Sequence, residues 1–337
     1  MKKLLQYLFK RPTRWIAHRF SAAPQKDIVF ASLTDLYASA PDDSDNRVKL
    51  ISTDEATAKF IIFSDQHKGD KSAADDFKKC ERNYIAALEH YNQNQFSFID
   101  LGDSEELWKF RAEKILPANK KALAAEAAFH PDRFYKTFGN HDLIWKNKPD
   151  VFFLLRKYFT MPLPVYEGIV IHLKTGETIL KIFLTHGHQG DAMSDNNGFS
   201  TWIVAHIWLP LQRYLRVKVN TPSKDFSLRN EHNIMMSEWS GLQQNCILVT
   251  GHTHVPVFAS GRYYNHPSNI IPGKNQKSIK PSYFNTGCCC FDDGDITGIE
   301  IADGFIRLIK WHKAHGISER KVLEEIRIDD LIKDLAN

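Results

Sequence analysis

The sequence predicts an α/β fold built on a layered sheet. Four short apolar runs each end in a polar or glycine-containing cluster, and they are KFIIFSD (59–65), SFIDLGD (97–103), FYKTFGN (134–140) and CILVTGH (246–252). Nearly continuous apolar strands are typical of a sheet that is covered on both faces. Segments of helical composition separate the first three runs, and strands that alternate with helices indicate an α/β sheet.

The remaining elements follow from local composition. Residues 72–94 contain no glycine or proline, and KKALAAEAAF (120–129) consists mainly of strong helix formers. Apolar runs on either side of a Thr-Gly or Asp-Gly turn predict hairpins at 169–184 and 296–311. The tail, residues 314–337, has an amphipathic pattern, so we expect a helix that docks on the domain.

We expect three regions along the chain. Residues 1–50 form a basic N-terminal appended segment, 51–313 form the domain, and 314–337 form the C-terminal helix. An insertion at about 190–244 is expected to form a helical cap. Of the 44 lysines and arginines, six lie in residues 1–20, which hold no acid, so the rest of the chain has 38 bases against 40 acids.

Composition and charge exclude several protein classes. The chain has 337 residues, 43% hydrophobic and 25% charged, which excludes a disordered, collagen-like or coiled-coil protein. The slightly acidic body lacks the basic footprint of a nucleic-acid-binding protein, so no specific nucleic-acid partner is indicated. No apolar run approaches the roughly 20 residues that span a bilayer. Cys288, Cys289 and Cys290 are adjacent, which suits small buried residues in a strand better than disulfides, so we expect a cytoplasmic protein.

The basic N-terminus leaves two interpretations open. Leucines and Phe9 lie beside the bases of residues 1–20, and this combination suits peripheral contact with an anionic membrane. Alternatively, the apolar residues dock on the body of the protein or on a second subunit.

Potential metal ligands follow the predicted strands, and they are Asp65, His67, Asp103, Asn140, His186, His252 and His254. Ligands of open α/β sheets bind beyond the carboxyl ends of the strands. Carboxylate, amide and imidazole groups suit borderline divalent metals such as Mn, Fe, Co, Ni or Zn. Seven ligands exceed the need of one ion, whereas two ions that share a bridging carboxylate use them all. Such pairs of ions are a recurring device for hydrolysing phosphate esters.

The same residues lie in five short motifs, which are DQH (65–67), GDSEE (102–106), GNHD (139–142), HG (186–187) and GHTH (251–254). In this order they resemble the motifs of the calcineurin-like metallophosphoesterase superfamily. The resemblance covers residues 65–254. It implies a four-layer α-β-β-α metallophosphoesterase sandwich with mixed sheets, and the insertion adds a helical lid. It also implies a binuclear metal-dependent phosphoesterase that uses water activated by the metals.

The resemblance further implies a role for each motif residue. The first metal is assigned to Asp65, His67 and His254, and the second metal to Asn140, His186 and His252, with Asp103 as the bridge. His141 is assigned as the general acid and transition-state stabiliser. Asp142 is expected to orient His141. Two divalent ions are expected, with Mn preferred and Fe, Zn, Co or Ni as alternatives.

The resemblance does not choose the substrate, which we expect to be a phosphorylated small molecule or a lipid-linked compound. Phosphomonoesters and phosphodiesters both fit. Glu106 and Trp108 match in outline the UDP-diacylglucosamine pyrophosphatase group, which acts at the membrane surface, but that group typically has arginine where this chain has His141. The second alternative is a non-catalytic interaction module on the same fold.

Four further residues are candidates for supporting the site or contacting substrate. Glu106 is expected to support the site without coordinating a metal. His188 supports the site, faces the substrate or is structural. Arg213 and Arg216 lie between His186 and His252. If that stretch forms a lid, these arginines clamp a phosphate group; otherwise its helices simply cover one face of the sheet.

Overall fold

A computed structural model describes four stretches of the chain, which are residues 25–40, 45–190, 226–261 and 280–336. The predicted membrane contact of residues 1–20 and the predicted phosphate clamp of Arg213 and Arg216 lie outside these stretches. None of the helices in the described stretches combines the length and the apolar run needed to cross a bilayer.

The described strands are β1 (Val48–Asp54), β2 (Lys59–Phe63), β3 (Ser97–Leu101), β4 (Phe134–Thr137), β5 (Val165–Tyr166), β6 (Gly168–Thr175), β7 (Thr178–Thr185), β8 (Cys246–Thr250), β9 (Tyr283–Asn285), β10 (Ile296–Ala302), β11 (Phe305–Ala314) and β12 (Ile317–Arg327). The described α-helices are α1 (Lys26–Ala38), α2 (Glu81–Gln93), α3 (Ala112–Ala118), α4 (Lys120–Ala127), α5 (Lys148–Leu155), α6 (Phe226–Gly241) and α7 (Ile328–Ala336). The predicted strand runs and both predicted hairpins are confirmed.

The strands form two mixed sheets. The larger sheet has the order β12-β11-β10-β2-β3-β4-β5, in which β2 to β5 are parallel and β10 to β12 add an antiparallel extension. The smaller sheet has the order β1-β6-β7-β8-β9, and its one antiparallel pair is β6 with β7. Strands β2, β3, β4, β7 and β8 are the ones that precede the five motifs.

Alternating side chains divide the apolar interior into three cores. Ile62 of β2 packs in the core between the two sheets, whereas its neighbours Ile61 and Phe63 pack in the core on the opposite face of the larger sheet. That second core contains α2 residues such as Tyr84 and Leu88. A third core joins α1 and α6 to the outer face of the smaller sheet. The layers therefore follow the predicted order α-β-β-α.

The predicted C-terminal helix over 314–337 is wrong for most of its length. Residues Ile317–Arg327 form β12, which pairs with β11, and a helix begins only at Ile328. His315 and Gly316 both have positive φ, which is the geometry of a tight hairpin turn, and this turn sends the chain back along β11. Leu331 and Leu335 of α7 are buried on the core between the sheets, so a shorter helix does dock on the domain.

The predicted start of the domain at residue 51 is also wrong. That position falls inside β1, which pairs with β6 along its whole length. Helix α1 buries Val29, Leu33 and Leu36 against the smaller sheet, because these residues recur on one side of the helix. Residues 26–40 and 45–50 are therefore part of the fold and not an appended segment.

The described part of the predicted cap covers a sheet. Helix α6 packs beside α1 and β8, and it buries Met236 and Trp239 on the outer face of the smaller sheet. The indole N–H of Trp239 donates to Thr34 Oγ1 at 3.0 Å. This helix therefore fits the second of the two alternatives for the insertion, whereas residues 191–225 lie outside the described stretches.

A buried cluster of opposite charges supports the loop after β3. Lys136 Nζ of β4 lies 2.7 Å from Asp100 Oδ2 and 3.3 Å from Glu105 Oε2. Lys68 Nζ lies 3.1 Å from Glu105 Oε1 and 2.5 Å from Glu126 Oε1. All five side chains are almost fully buried. Burial alone raises the pKa of Glu105, but the two lysines lower it to about 2, so Glu105 stays ionised and is held from two sides.

Removing one cation from this cluster is expected to destabilise the fold. In Lys136→Ala the carboxylates of Asp100 and Glu105 lose their shared partner inside the core, and breaking a buried ion pair costs about 3–5 kcal/mol. The free energy of unfolding, measured by urea denaturation, is expected to fall by that amount. Lys121→Ala changes an exposed lysine on α4 and is expected to stay within about 0.5 kcal/mol of the wild type. Equal losses in the two variants would contradict this account.

Candidate metal centre

The five motif loops meet at one edge of the two sheets. Parallel strands place their carboxyl ends at the same edge, so the loops after β2, β3 and β4 lie side by side. The loops after β7 and β8 do the same in the smaller sheet. The two sets of loops are in contact, because His186 Nε2 lies 3.2 Å from Asp103 Oδ2.

One group of potential ligands consists of Asp65, His67 and His254, as predicted for the first metal. Asp65 Oδ1 lies 3.1 Å from His254 Nε2 and 3.7 Å from His67 Nε2, and the two ring nitrogens are 3.1 Å apart. Ligand atoms about 2.1 Å from a single ion are separated by roughly 3.0–3.4 Å. Two of the three separations have this spacing and the third, at 3.7 Å, is slightly longer, so the three atoms are close enough to bind one ion after a small adjustment.

A second group consists of Asp103, His186 and His252, whose potential ligand atoms all lie within 4.8 Å of one another. Asp103 Oδ2 also lies 3.8 Å from His67 Nε2. The carboxylate of Asp103 thus faces both groups, which is the position that a bridging ligand requires. Asn140 is buried in the adjoining loop after β4.

Several buried ligand atoms lack a hydrogen-bond partner, and they are Asp65 Oδ1, Asn140 Oδ1, His186 Nε2 and His252 Nε2. A buried polar atom without a partner costs about 1–3 kcal/mol. Each of these atoms has a lone pair that a cation accepts, and all of them belong to predicted ligands. The oxygen and imidazole donor set therefore fits two divalent ions of the borderline class.

The other atoms of these side chains are held in place by the protein. His186 Nδ1 donates to Leu101 O at 2.9 Å, which turns Nε2 toward the carboxylate of Asp103. Asp65 Oδ2 accepts from the backbone N–H of His252 at 2.9 Å, so Oδ1 remains free. Asp103 Oδ1 accepts from the backbone N–H of His141 at 2.7 Å. The ligand atoms are thus oriented before any ion binds.

Backbone strain coincides with the ligand positions. Five predicted ligands have φ between 49° and 69°, and they are Asp65, His67, Asp103, His252 and His254. Residues other than glycine rarely adopt this left-handed conformation, and it persists where the surrounding structure enforces it, commonly at functional sites. Glycine fills the tight places between the ligands: a Cβ on Gly139 would overlap the Asp103 carboxylate, and one on Gly251 would overlap Asp65.

His141 is held by Glu106 and Trp108. Its Nδ1 lies 2.8 Å from Glu106 Oε1, and its ring stacks on the Trp108 ring with centroids 4.0 Å apart and planes at 20°. Burial alone would raise the pKa of the Glu106 carboxyl, but His141 and His67 beside it hold that pKa well below its usual range. The ionised Glu106 therefore accepts a hydrogen bond from the Nδ1–H of His141.

The predicted pairing of Asp142 with His141 is therefore wrong. Asp142 is buried, and its oxygens accept backbone N–H groups, with Gly139 at 2.7 Å and Ser104 at 2.8 Å as the shortest contacts. His141 and Asp142 have different partners although they are adjacent in sequence. The side chain of Asp142 turns toward the loop after β3, whereas the ring of His141 turns toward Glu106. Asp142 fixes loops, and Glu106 orients the imidazole.

These observations lead to the family. Residues 58–256 match the family described as calcineurin-like phosphoesterase. The chain belongs to this family. No match was found among curated proteins.

Three solved structures are similar to this chain at low sequence identity. Vacuolar protein sorting 29 from Cryptosporidium parvum is 14% identical, with 80% of this chain and 98% of that chain covered and a TM-score of 0.33. A dimetal phosphatase from Danio rerio is 9% identical, with 80% and 100% covered and a TM-score of 0.40. A 5′-nucleotidase precursor from Thermus thermophilus is 12% identical, with 83% and 57% covered and a TM-score of 0.33.

Three other side chains surround this calcineurin-like phosphoesterase site. His188 is buried. Its burial, and to a smaller extent the nearby His186, lowers its pKa to about 3, so His188 stays neutral. The ring of His232 on α6 lies 5.3 Å from that of His252, and its Nε2 donates to Gly187 O at 2.6 Å. Cys288 and Cys289 are buried as predicted, but the three cysteines follow β9 and do not lie in a strand, and the partly exposed Cys290 places Sγ 3.7 Å from His254 Nδ1.

Sequence reasoning missed His232 and the contact of Cys290. His232 carries no motif, and only the packing of α6 against β8 brings it to the site. For Cys290 a signal was present, because the three cysteines follow shortly after β9, whose neighbour β8 leads into the GHTH motif.

Metal binding depends on the bridging carboxylate in this account. Asp103→Ala removes the group that faces both ligand sets, so bound divalent metal is expected to fall from about two ions per chain to one or none. Inductively coupled plasma mass spectrometry of Mn-loaded, dialysed protein measures the content. Asp132→Ala removes an exposed carboxylate outside the site and is expected to keep the wild-type content. A full metal complement in Asp103→Ala would refute the bridging assignment.

Proposed function

We propose that the protein is a binuclear metal-dependent phosphoesterase that hydrolyses phosphomonoester or phosphodiester bonds. The observation that carries this proposal is the position of Asp103, whose Oδ2 lies 3.2 Å from His186 Nε2 and 3.8 Å from His67 Nε2, between the two groups of ligands. The ligand atoms of the other predicted ligands in the two groups face the same space. A non-catalytic interaction module does not require a complete set of metal ligands, nor their strained backbone conformations.

The two aspartates at the centre are ionised. Burial alone raises the pKa of Asp65, but the imidazoles of His254 and His186 hold that pKa well below its usual range. The neighbouring His186 and His141 likewise lower the pKa of Asp103. Divalent ions held by these carboxylates would supply positive charge for a phosphate group and lower the pKa of a water molecule, which is the chemistry that phosphate ester hydrolysis requires.

The exposed side of the centre defines the approach of substrate. The side chains of His141 and His254 are 18% and 20% exposed, whereas that of His67 is 5% exposed and that of His186 is fully buried. A phosphoryl group therefore reaches the site from the side of His141 and His254. Trp108 borders this side through its stacking on His141.

His141 is placed to transfer a proton. Because Nδ1 is engaged with Glu106 Oε1, Nε2 is the nitrogen that can face a substrate oxygen. In the protonated ring, Nε2 donates a hydrogen bond to the phosphoryl oxygens and then gives its proton to the departing oxygen. Glu106 stabilises the positive charge of the ring while the proton is held.

Loss of the imidazole is expected to slow the reaction without removing the metals. For His141→Ala we expect kcat to fall by about 10²–10⁴-fold, the usual contribution of general acid catalysis, with unchanged metal content. Assays with aryl phosphomonoester, phosphodiester and pyrophosphate substrates measure kcat after Mn loading. His172→Ala, on β6 away from the site, serves as the matched control and is expected to retain activity. The proposal fails if metal-loaded wild type hydrolyses none of these substrates or if His141→Ala keeps wild-type kcat.

Trp108 is expected to act by positioning His141. A stacked aromatic pair contributes about 0.5–1.5 kcal/mol, so Trp108→Ala should lower kcat by roughly 2- to 10-fold while KM changes little. Trp108→Phe keeps a flat ring and is expected to recover most of the loss. A raised KM with unchanged kcat in Trp108→Ala would instead place the indole in substrate binding.

A further inference from the structure

Exposed apolar side chains are concentrated in one segment. The described stretches contain nine exposed large hydrophobic residues, and four of them fall within residues 144–161. These four are Ile144, Phe152, Phe153 and Met161, with exposed fractions of 37%, 48%, 62% and 56%. We call this segment the 144–161 surface. Soluble proteins rarely leave neighbouring large apolar side chains in water unless the patch has a partner.

Helix α5 holds the two phenylalanines outward from the domain. Val151 and Leu155, one turn apart, are buried on the body, so the helix is anchored by that side. Phe152 and Phe153 point away from it with ring centroids 5.3 Å apart. The guanidinium carbon of Arg156 lies 5.2 Å and 5.8 Å from the two ring centroids. A cation therefore accompanies the exposed aromatic pair.

The charges around the phenylalanines have one dominant sign. Residues 144–161 contain four bases and a single acid, Asp150. The bases are all exposed, and they are Lys146, Lys148, Arg156 and Lys157. The rest of the chain outside residues 1–20 has the opposite balance, with 34 bases against 39 acids. Exposed aromatic rings beside lysine and arginine match the interface of an anionic bilayer, where rings lie at headgroup depth and bases contact phosphate groups.

The same segment is joined directly to the metal centre. The 3₁₀ helix Leu143–Lys146 begins two residues after His141 and packs against α5. Trp145 is buried, and its indole N–H donates to Glu105 Oε2 at 2.8 Å, within the charge cluster under the β3 loop. The 144–161 surface is therefore held in a fixed relation to the loop that carries Asn140 and His141.

We propose that the 144–161 surface docks the protein on an anionic lipid bilayer. Phe152 and Phe153 enter the headgroup region, and the four bases contact the lipid phosphates. Docking in this way brings the edge that carries His141 to the membrane surface. The inference rests on the exposed side chains and their charge, and it is tested without any measurement of catalysis, so its failure is separate from failure of the proposed hydrolysis.

The test is co-sedimentation of the full chain with phosphatidylcholine vesicles, with and without phosphatidylglycerol. Wild-type protein is expected to bind the anionic vesicles, and raised salt is expected to weaken the binding. Phe152→Ser with Phe153→Ser is expected to weaken the partition by about tenfold or more, because binding scales with the apolar area inserted. Arg156→Glu with Lys157→Glu is expected to weaken it by at least roughly fivefold per base.

A matched control removes exposed apolar residues elsewhere. Leu242→Ser with Ile317→Ser changes side chains that are 71% and 58% exposed and lie outside the 144–161 surface, so wild-type partition is expected. Residues 1–20 are present in every variant, and their own contribution therefore cancels in the comparison. Thermal melts confirm that the variants are folded. The proposal is overturned if wild type ignores anionic vesicles, as it would if this surface docks an acidic protein, or if both test variants bind as the control does.

Discussion

The carboxylate of Asp142 fastens two loops on which the site depends. Its oxygens accept the backbone N–H groups of Gly139 and Ser104, at 2.7 Å and 2.8 Å, so the loop after β4 is tied to the loop after β3. Those loops carry the bridging Asp103 and the catalytic candidate His141, whose own N–H donates to Asp103 Oδ1. The buried lysines Lys68 and Lys136 both pair with Glu105 of the loop after β3 and so stabilise the same region. The geometry of the centre thus comes from tertiary contacts that surround the ligands.

Charge balance links the fold to the chemistry. Asp65 and Asp103 are buried and ionised, and Asp65 Oδ1 has no hydrogen-bond partner. Such an arrangement is unfavourable in an apolar interior unless cations complete it. Cations that satisfy the carboxylates also attract phosphate to a body with almost no net charge. Metal binding therefore explains three features together: the strained backbone of the ligands, their free lone pairs and the attraction of phosphate.

The sequence was sufficient to predict that the candidate ligands lie together, because each one lies within four residues after a strand and parallel strands leave their following loops at one edge. It was insufficient where a side chain chooses between partners that are distant in sequence. His141 pairs with Glu106 although Asp142 is adjacent, and the isolated lysine Lys136 finds its carboxylates only when β3 and β4 align. The predicted helix over the whole tail is wrong because the apolar spacing over 322–332 also fits a strand followed by a helix. A His-Gly turn precedes that strand.

Anomalous diffraction from crystals of Mn-loaded protein would locate the bound ions and decide whether the centre holds two of them. Two peaks are expected at the edge of the sheets, one among Asp65, His67 and His254 and one among Asn140, His186 and His252. The carboxylate of Asp103 should lie between them. A single peak, or peaks away from these residues, would contradict the assignment of a binuclear centre.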